Sequence, residues 1–92
     1  MIILSFEVRA SKKILKEIEG LDRKLKQRIL DLLIKLKEQP VPIEEFDVVK
    51  LSASDNTYRI RIQKIRIIYD VYWKEKIVGL LKVERRKDRT YK

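Results

Sequence analysis

No cysteine and no histidine occur in this chain of 92 residues. The first absence removes thiol nucleophiles, cysteine-held metal centres and any disulfide framework. The second removes the usual general base and the commonest metal ligand. Only two glycines and two prolines are present, which argues against low complexity and for a chain held mostly in regular structure. No apolar run approaches the roughly 18 residues of a membrane span, and no basic segment precedes the apolar N-terminal residues, so neither a transmembrane helix nor a signal peptide is expected. A soluble, cytoplasmic protein without membrane association is the reading that follows. Any chemistry must come from Lys, Arg, Tyr, Asp, Glu, Ser or Thr.

What is abundant is positive charge. The 23 Lys and Arg residues outnumber the 14 Asp and Glu, for a net +9. This excess is concentrated. Residues 58–66 and 82–92 together hold ten basic and two acidic groups, a net +8, and the other 72 residues are close to neutral. Charge alone leaves open a nucleic-acid surface or a solvated basic face. No pair of carboxylates is spaced for metal binding, so neither a metal nor a cofactor is expected.

Hydrophobic periodicity orders the elements. Residues 2–9 alternate, with Leu4, Phe6 and Val8 on one side, as in a strand with one buried face. Ser11 can cap a short helix carrying Ile14, Leu15 and Ile18, with Gly20 as its stop. Asp22 can cap a second, whose stripe is Leu25, Ile29, Leu32, Leu33 and Leu36 and which Pro40 and Pro42 end. Strands are then expected over residues 46–51, 58–62, 65–73 and 77–85, with turns at 52–57, 63–64 and 74–76. The order β-α-α-β-β-β-β predicts one α+β domain over residues 1–92. An antiparallel twisted sheet would carry a two-helix hairpin on one face. The period of two places Arg59 and Arg61 on the side opposite Ile60 and Ile62, and Arg66 opposite Ile65 and Ile67. All three would meet on the open face, and the tail beyond the last strand could fold back to the same surface.

With the motif Tyr58-Arg59-Ile60-Arg61, then Arg66-Ile67-Ile68-Tyr69, and an ending from Arg85 to Tyr91, the chain resembles the RelE-type toxins of bacterial and archaeal toxin–antitoxin systems, within the RelE/ParE superfamily. Leu51 and the stretch Gln39-Pro40-Val41-Pro42 carry a further likeness to archaeal members. The resemblance implies an endoribonuclease that enters the ribosomal A site and cleaves mRNA there. It also implies a RelB-like antitoxin, in a heterotetramer or larger complex. Arg61, Arg66, Arg85 and Tyr91 match the family's catalytic positions, and Arg59 matches a basic position of its active strand. Lys64, Arg86, Lys87 and Arg89 would add contacts to RNA. Where relatives have Gly-Asp-Tyr before the arginine of the fourth strand, this chain has Gln63-Lys64-Ile65.

Without histidine or metal, RNA can be cut by its own 2′-hydroxyl, provided the protein aligns the attack and neutralises the phosphoryl oxygens. Arginine suits the second task, since its fork binds phosphate and stays charged. Arg61 and Arg66 would stabilise the phosphorane, Arg85 the leaving oxygen. Tyr91 is the first candidate base and Lys64 the second. Two other functions share this fold: a ParE-like poison of DNA gyrase, and a homologue that only binds its antitoxin.

Overall fold

The computed structural model describes residues 5–51 and 55–85. The elements are β1 (Glu7–Arg9), α1 (Lys12–Glu19), α2 (Arg23–Glu38), β2 (Asp47–Lys50), β3 (Thr57–Ile62), β4 (Ile65–Tyr72) and β5 (Ile77–Arg85). Both helices start as their caps dictate. The Ser11 hydroxyl accepts from the Ile14 amide at 3.2 Å and the Asp22 carboxylate from that of Leu25 at 2.9 Å. The second helix stops at Gln39, directly before Pro40.

The sheet has the order β1-β5-β4-β3-β2. The meander from β2 to β5 is antiparallel, as the short turns require. The first strand differs from expectation: β1 joins β5 in parallel, so the sheet is mixed. At 16 residues α2 is twice as long as α1, so the hairpin does not return the chain to its origin. It delivers the chain across the sheet to the far edge, and the meander returns to meet β1 from the other side.

The core lies between the helices and one sheet face. Ile14, Ile18, Leu25, Ile29, Leu32 and Leu36 meet Ile60, Ile62, Ile65, Ile67, Tyr69, Val71, Val78 and Leu80. Leu15 and Leu33, expected in the same stripe, are not part of this set; Leu15 is half-exposed. The β3–β4 hairpin turns on Gln63 and Lys64, and Gln63 takes a φ of 52°. A left-handed residue at the first position of a two-residue loop is what glycine does without strain, and here a glutamine does it.

Tyr69 is buried, stacks against Tyr58 at 5.8 Å and donates its hydroxyl to the Pro40 carbonyl at 2.7 Å. It thereby ties β4 to the segment that ends α2. Burial, reinforced by Tyr58, pushes its phenol well above the ordinary 10.0. An unfolded chain ionises this phenol near pH 10, whereas the fold keeps it protonated. Its contribution to stability is therefore complete below pH 10 and lost as the pH rises beyond it. Tyr69→Phe is expected to lower neutral stability by about 1–3 kcal/mol, because the Pro40 carbonyl loses its donor. The same variant should flatten the decline between pH 10 and 12. Urea melts across that range check both effects; an unchanged alkaline slope would exclude Tyr69 as its source.

One irregularity decides which way the end of β5 faces. The pairing of β4 with β5 shifts between Ile68 and Tyr69: Tyr69 stands opposite Leu80, but Ile68 opposite Lys82. Leu81 is the extra residue of a β-bulge. Before it, Val78 and Leu80 point to the helices. After it the alternation is inverted, so Lys82 and Glu84 share the open face with their partners Ile68 and Arg66, and Arg85 shares the helix side with Ile65.

Candidate nucleic-acid interface

The open face is built from cross-strand rows. Arg61 on β3 is the direct partner of Arg66 on β4; Asp47 on β2 flanks Arg61, and Glu84 on β5 flanks Arg66. Across four strands the row reads acid, base, base, acid. The next row is Val49, Arg59, Ile68 and Lys82, and beyond it Thr57, Asp70 and Gly79 lie side by side. Directly opposed like charges destabilise a sheet. Two arginines held in this way on a rigid surface form a site for something doubly anionic or bridging.

The state of each cation is set by its neighbours. The Arg61 Nε and Nη2 groups both donate to Asp47 Oδ2, at 3.2 and 3.1 Å, and both partners are about half-exposed. Arg66 is half-buried and has no hydrogen-bond or ion-pair partner among the described residues. Its charge is nevertheless felt by Glu84, whose carboxyl is held low chiefly by the Lys82 ammonium at 2.9 Å and further by Arg66. The Nε–H of Arg59 is buried and finds no acceptor. Its cross-strand neighbours Val49 and Ile68 are apolar, so no acceptor for that donor is found among the described residues.

Past the arginines lies a fixed polar group. Asp70 accepts hydrogen bonds from Thr57 and, at 3.3 Å, from the half-exposed Tyr72 hydroxyl. The adjacent carboxylate raises the Tyr72 phenol. The nearest side-chain atom to Gly79 belongs to the Tyr72 ring, 3.7 Å from where a Cβ would stand.

The expected site thus comes together in part. Arg59, Arg61 and Arg66 share one face, and Lys64 sits in the turn two residues before Arg66. Arg85 does not join them. It lies on the helix side with Lys16, Glu17, Gly20, Leu21, Ile65 and Val83, where a cation suits the C-terminal end of α1. The bulge at Leu81 is the reason. Tyr91, Arg86, Lys87 and Arg89 lie outside the described residues. Sequence reasoning missed the acids: Asp47 and Glu84 become counter-ions only through the register. Among the described residues no three acidic side chains converge on a point that would hold a metal ion.

A second surface stands apart from the arginines. Leu15, Leu30, Leu33 and Ile34, with Val8 and Ala10, line an open apolar groove where α1 and α2 meet β1. Ile34 is 60% exposed, although it belongs to the same helix as the core. No helix among the described residues is long and apolar enough to cross a membrane.

Comparison with known proteins gives a consistent picture. A family model described as the ParE toxin of type II toxin–antitoxin systems, parDE, matches residues 4–90. A protein of Methanocaldococcus jannaschii named as toxin RelE1 is 36% identical over 83 residues, which cover 90% of this chain and 92% of that one. The structure of an archaeal RelE–RelB complex from Pyrococcus horikoshii OT3 superposes with a TM-score of 0.82 at 34% identity, covering 89% of this chain and 96% of that one. The isolated E. coli RelE toxin shares the fold at 21% identity, with a TM-score of 0.74 over 92% of this chain and 88% of that one.

Proposed function

The chain belongs to the RelE/ParE family of toxins of type II toxin–antitoxin systems, and on that premise we propose that it is a ribosome-dependent endoribonuclease. The observation that carries the reading is the direct opposition of Arg61 and Arg66 on the open face. A like-charged pair of guanidinium forks repels, a cost that the flanking Asp47 and Glu84 offset in part and that an anion between the forks would offset further. A toxin acting purely through protein contacts needs no such pair.

In the proposed reaction the 2′-hydroxyl of one nucleotide attacks its own 3′-phosphorus. The O2′–P bond forms and the P–O5′ bond breaks; the base takes the 2′-hydroxyl proton and O5′ takes one from water, leaving a 2′,3′-cyclic phosphate and a 5′-hydroxyl. Arg61 and Arg66 hold the non-bridging oxygens, whose charge grows in the transition state. Arg59 offers its buried Nε–H, which has no acceptor among the described residues, to the neighbouring backbone. The base is Tyr91 or Lys64. The remaining basic residues of the tail, Arg86, Lys87 and Arg89, contribute to the RNA track. Arg85 is left out of the catalytic set, because its strand position turns it to the other face. Orientation of the message by the ribosome supplies much of the rate, as positioning does in other reactions with little covalent chemistry for the protein to perform.

The partner is a RelB-like antitoxin, a reading supported by the solved RelE–RelB complex of similar fold; the assembly we propose is a heterotetramer or larger. The apolar groove of Leu15, Leu30 and Ile34 suits the hydrophobic face of an antitoxin segment. Ile34→Glu is expected to weaken antitoxin binding at least tenfold by calorimetry, with thermal stability unchanged since the residue is mostly outside the core. Equal affinity would move the antitoxin to another surface. Translated mRNA places the activity in the cytoplasm.

The test of the function is to express the protein and map mRNA 5′ ends. Cuts within translated codons, bearing 5′-hydroxyl termini and lost when initiation is blocked, are expected. Intact messages with a supercoiling defect would replace this reading with gyrase inhibition. Intact messages and normal supercoiling would leave antitoxin binding as the function.

A further inference from the structure

The two acids that flank the arginine pair do something the proposed reaction does not use. Asp47, Arg61, Arg66 and Glu84 are successive cross-strand neighbours, so the row is neutral in sum although it sits in a strongly basic protein. We infer that Asp47 and Glu84 are intramolecular competitors for RNA phosphate, which discount the binding of RNA that the ribosome has not presented. The inference rests on the reading of the open face as the RNA site.

Three observations support it. Asp47 occupies Arg61 as a phosphate oxygen would, taking two N–H donors on one oxygen at 3.2 and 3.1 Å. The pair is 40% and 47% exposed, so it is an exchangeable surface contact rather than a locked internal bridge. On the far side Glu84 is shared between Lys82, at 2.9 Å, and the field of Arg66. Each arginine of the pair thus has its own carboxylate on the adjoining strand, on the side away from the other arginine. A phosphate entering between the two guanidiniums gains their attraction but also meets two carboxylates within one strand spacing on either side.

The discrimination follows from how the two kinds of RNA arrive. Free single-stranded RNA binds basic surfaces mainly through its phosphates and is penalised fully by the acids. A message anchored on the ribosome is already oriented, so its binding rests less on total charge and more on position. The acids therefore lower non-specific affinity more than they lower productive encounter.

The experiment measures binding of a labelled, mixed-sequence single-stranded RNA to the free toxin over a range of salt, with wild type, Asp47→Asn and Glu84→Gln. It is paired with kcat/KM for cleavage on programmed ribosomes. Each variant is expected to bind free RNA about two- to fivefold more tightly. The logarithmic salt slope should steepen by about 0.7 for one further phosphate contact. Codon cleavage should not rise in proportion. The double variant should show the larger gain on free RNA. Affinities and slopes identical to wild type would overturn the inference, as would an equal gain in free binding and cleavage. If wild type cuts nothing on ribosomes while both variants still tighten free RNA, the nuclease reading fails and the competition stands. Asp47→Glu, which keeps the charge, should bind free RNA as wild type does.

Discussion

Arg66→Ala is expected to lower codon cleavage on translating ribosomes by about 10²–10³-fold, the usual loss when one preorganised donor to a developing oxyanion is removed. The size follows from its place in the row. Arg66 lies opposite Arg61, and among the described residues no hydrogen bond or ion pair ties its guanidinium down. Removal ends the repulsion with Arg61 and the attraction to Glu84 together, so thermal stability should change little. That separates a functional loss from a folding one. Arg66→Lys keeps the charge but not the bidentate geometry and should fall between the two. Cleavage at the wild-type rate in Arg66→Ala would remove the arginine pair from the chemistry.

The second large effect is on the fold. Leu32 is completely buried at the middle of α2, among the residues that meet the sheet. Leu32→Ala is expected to cost about 2–5 kcal/mol, from lost burial and from the cavity left behind. Set against the roughly 5–15 kcal/mol that holds a domain of this size together, the variant should be partly unfolded at physiological temperature. Denaturant melts measure it directly. Leu30→Ala, two residues earlier on the same helix but on the exposed groove side, should cost well under 1 kcal/mol. Similar losses in the two variants would mean that the groove is part of the core.

The contrast between Leu32 and Leu30 shows how much of the fold was legible in advance. The caps Ser11 and Asp22, the stop before Pro40 and the alternation of Ile60, Ile62, Ile65 and Ile67 are local features, and local sterics enforce them. Each appears in the structure where the chain places it. The apolar stripe of the helices was legible too, but its width was not. Leu15 and Leu33 continue the stripe in sequence, yet neither is fully buried: Leu33 packs at the edge of the core and both line the groove beside it. Periodicity reports which residues avoid water, not how much surface is there to cover them.

The site divides along the same line. By itself the sequence determined that Arg59, Arg61 and Arg66 lie on one face of a hairpin, because an alternating strand has only two sides and the other was needed for isoleucine. The missing histidine and cysteine also narrowed the chemistry, leaving an arginine-rich, phosphate-stabilising site as the main enzymatic option. The tertiary structure alone decided the rest. The parallel entry of β1 beside β5 depends on where a helix hairpin of unequal arms sets the chain down, a distance no local pattern records. The bulge at Leu81 depends on the pairing of two strands, and by inverting the alternation it moves Arg85 away from the arginines and brings Glu84 beside Arg66. Asp47 reaches Arg61 across 14 residues of sequence because β2 and β3 share a register. Local sterics determine which way a side chain faces on its own strand; only pairing between strands determines which charges then stand next to one another.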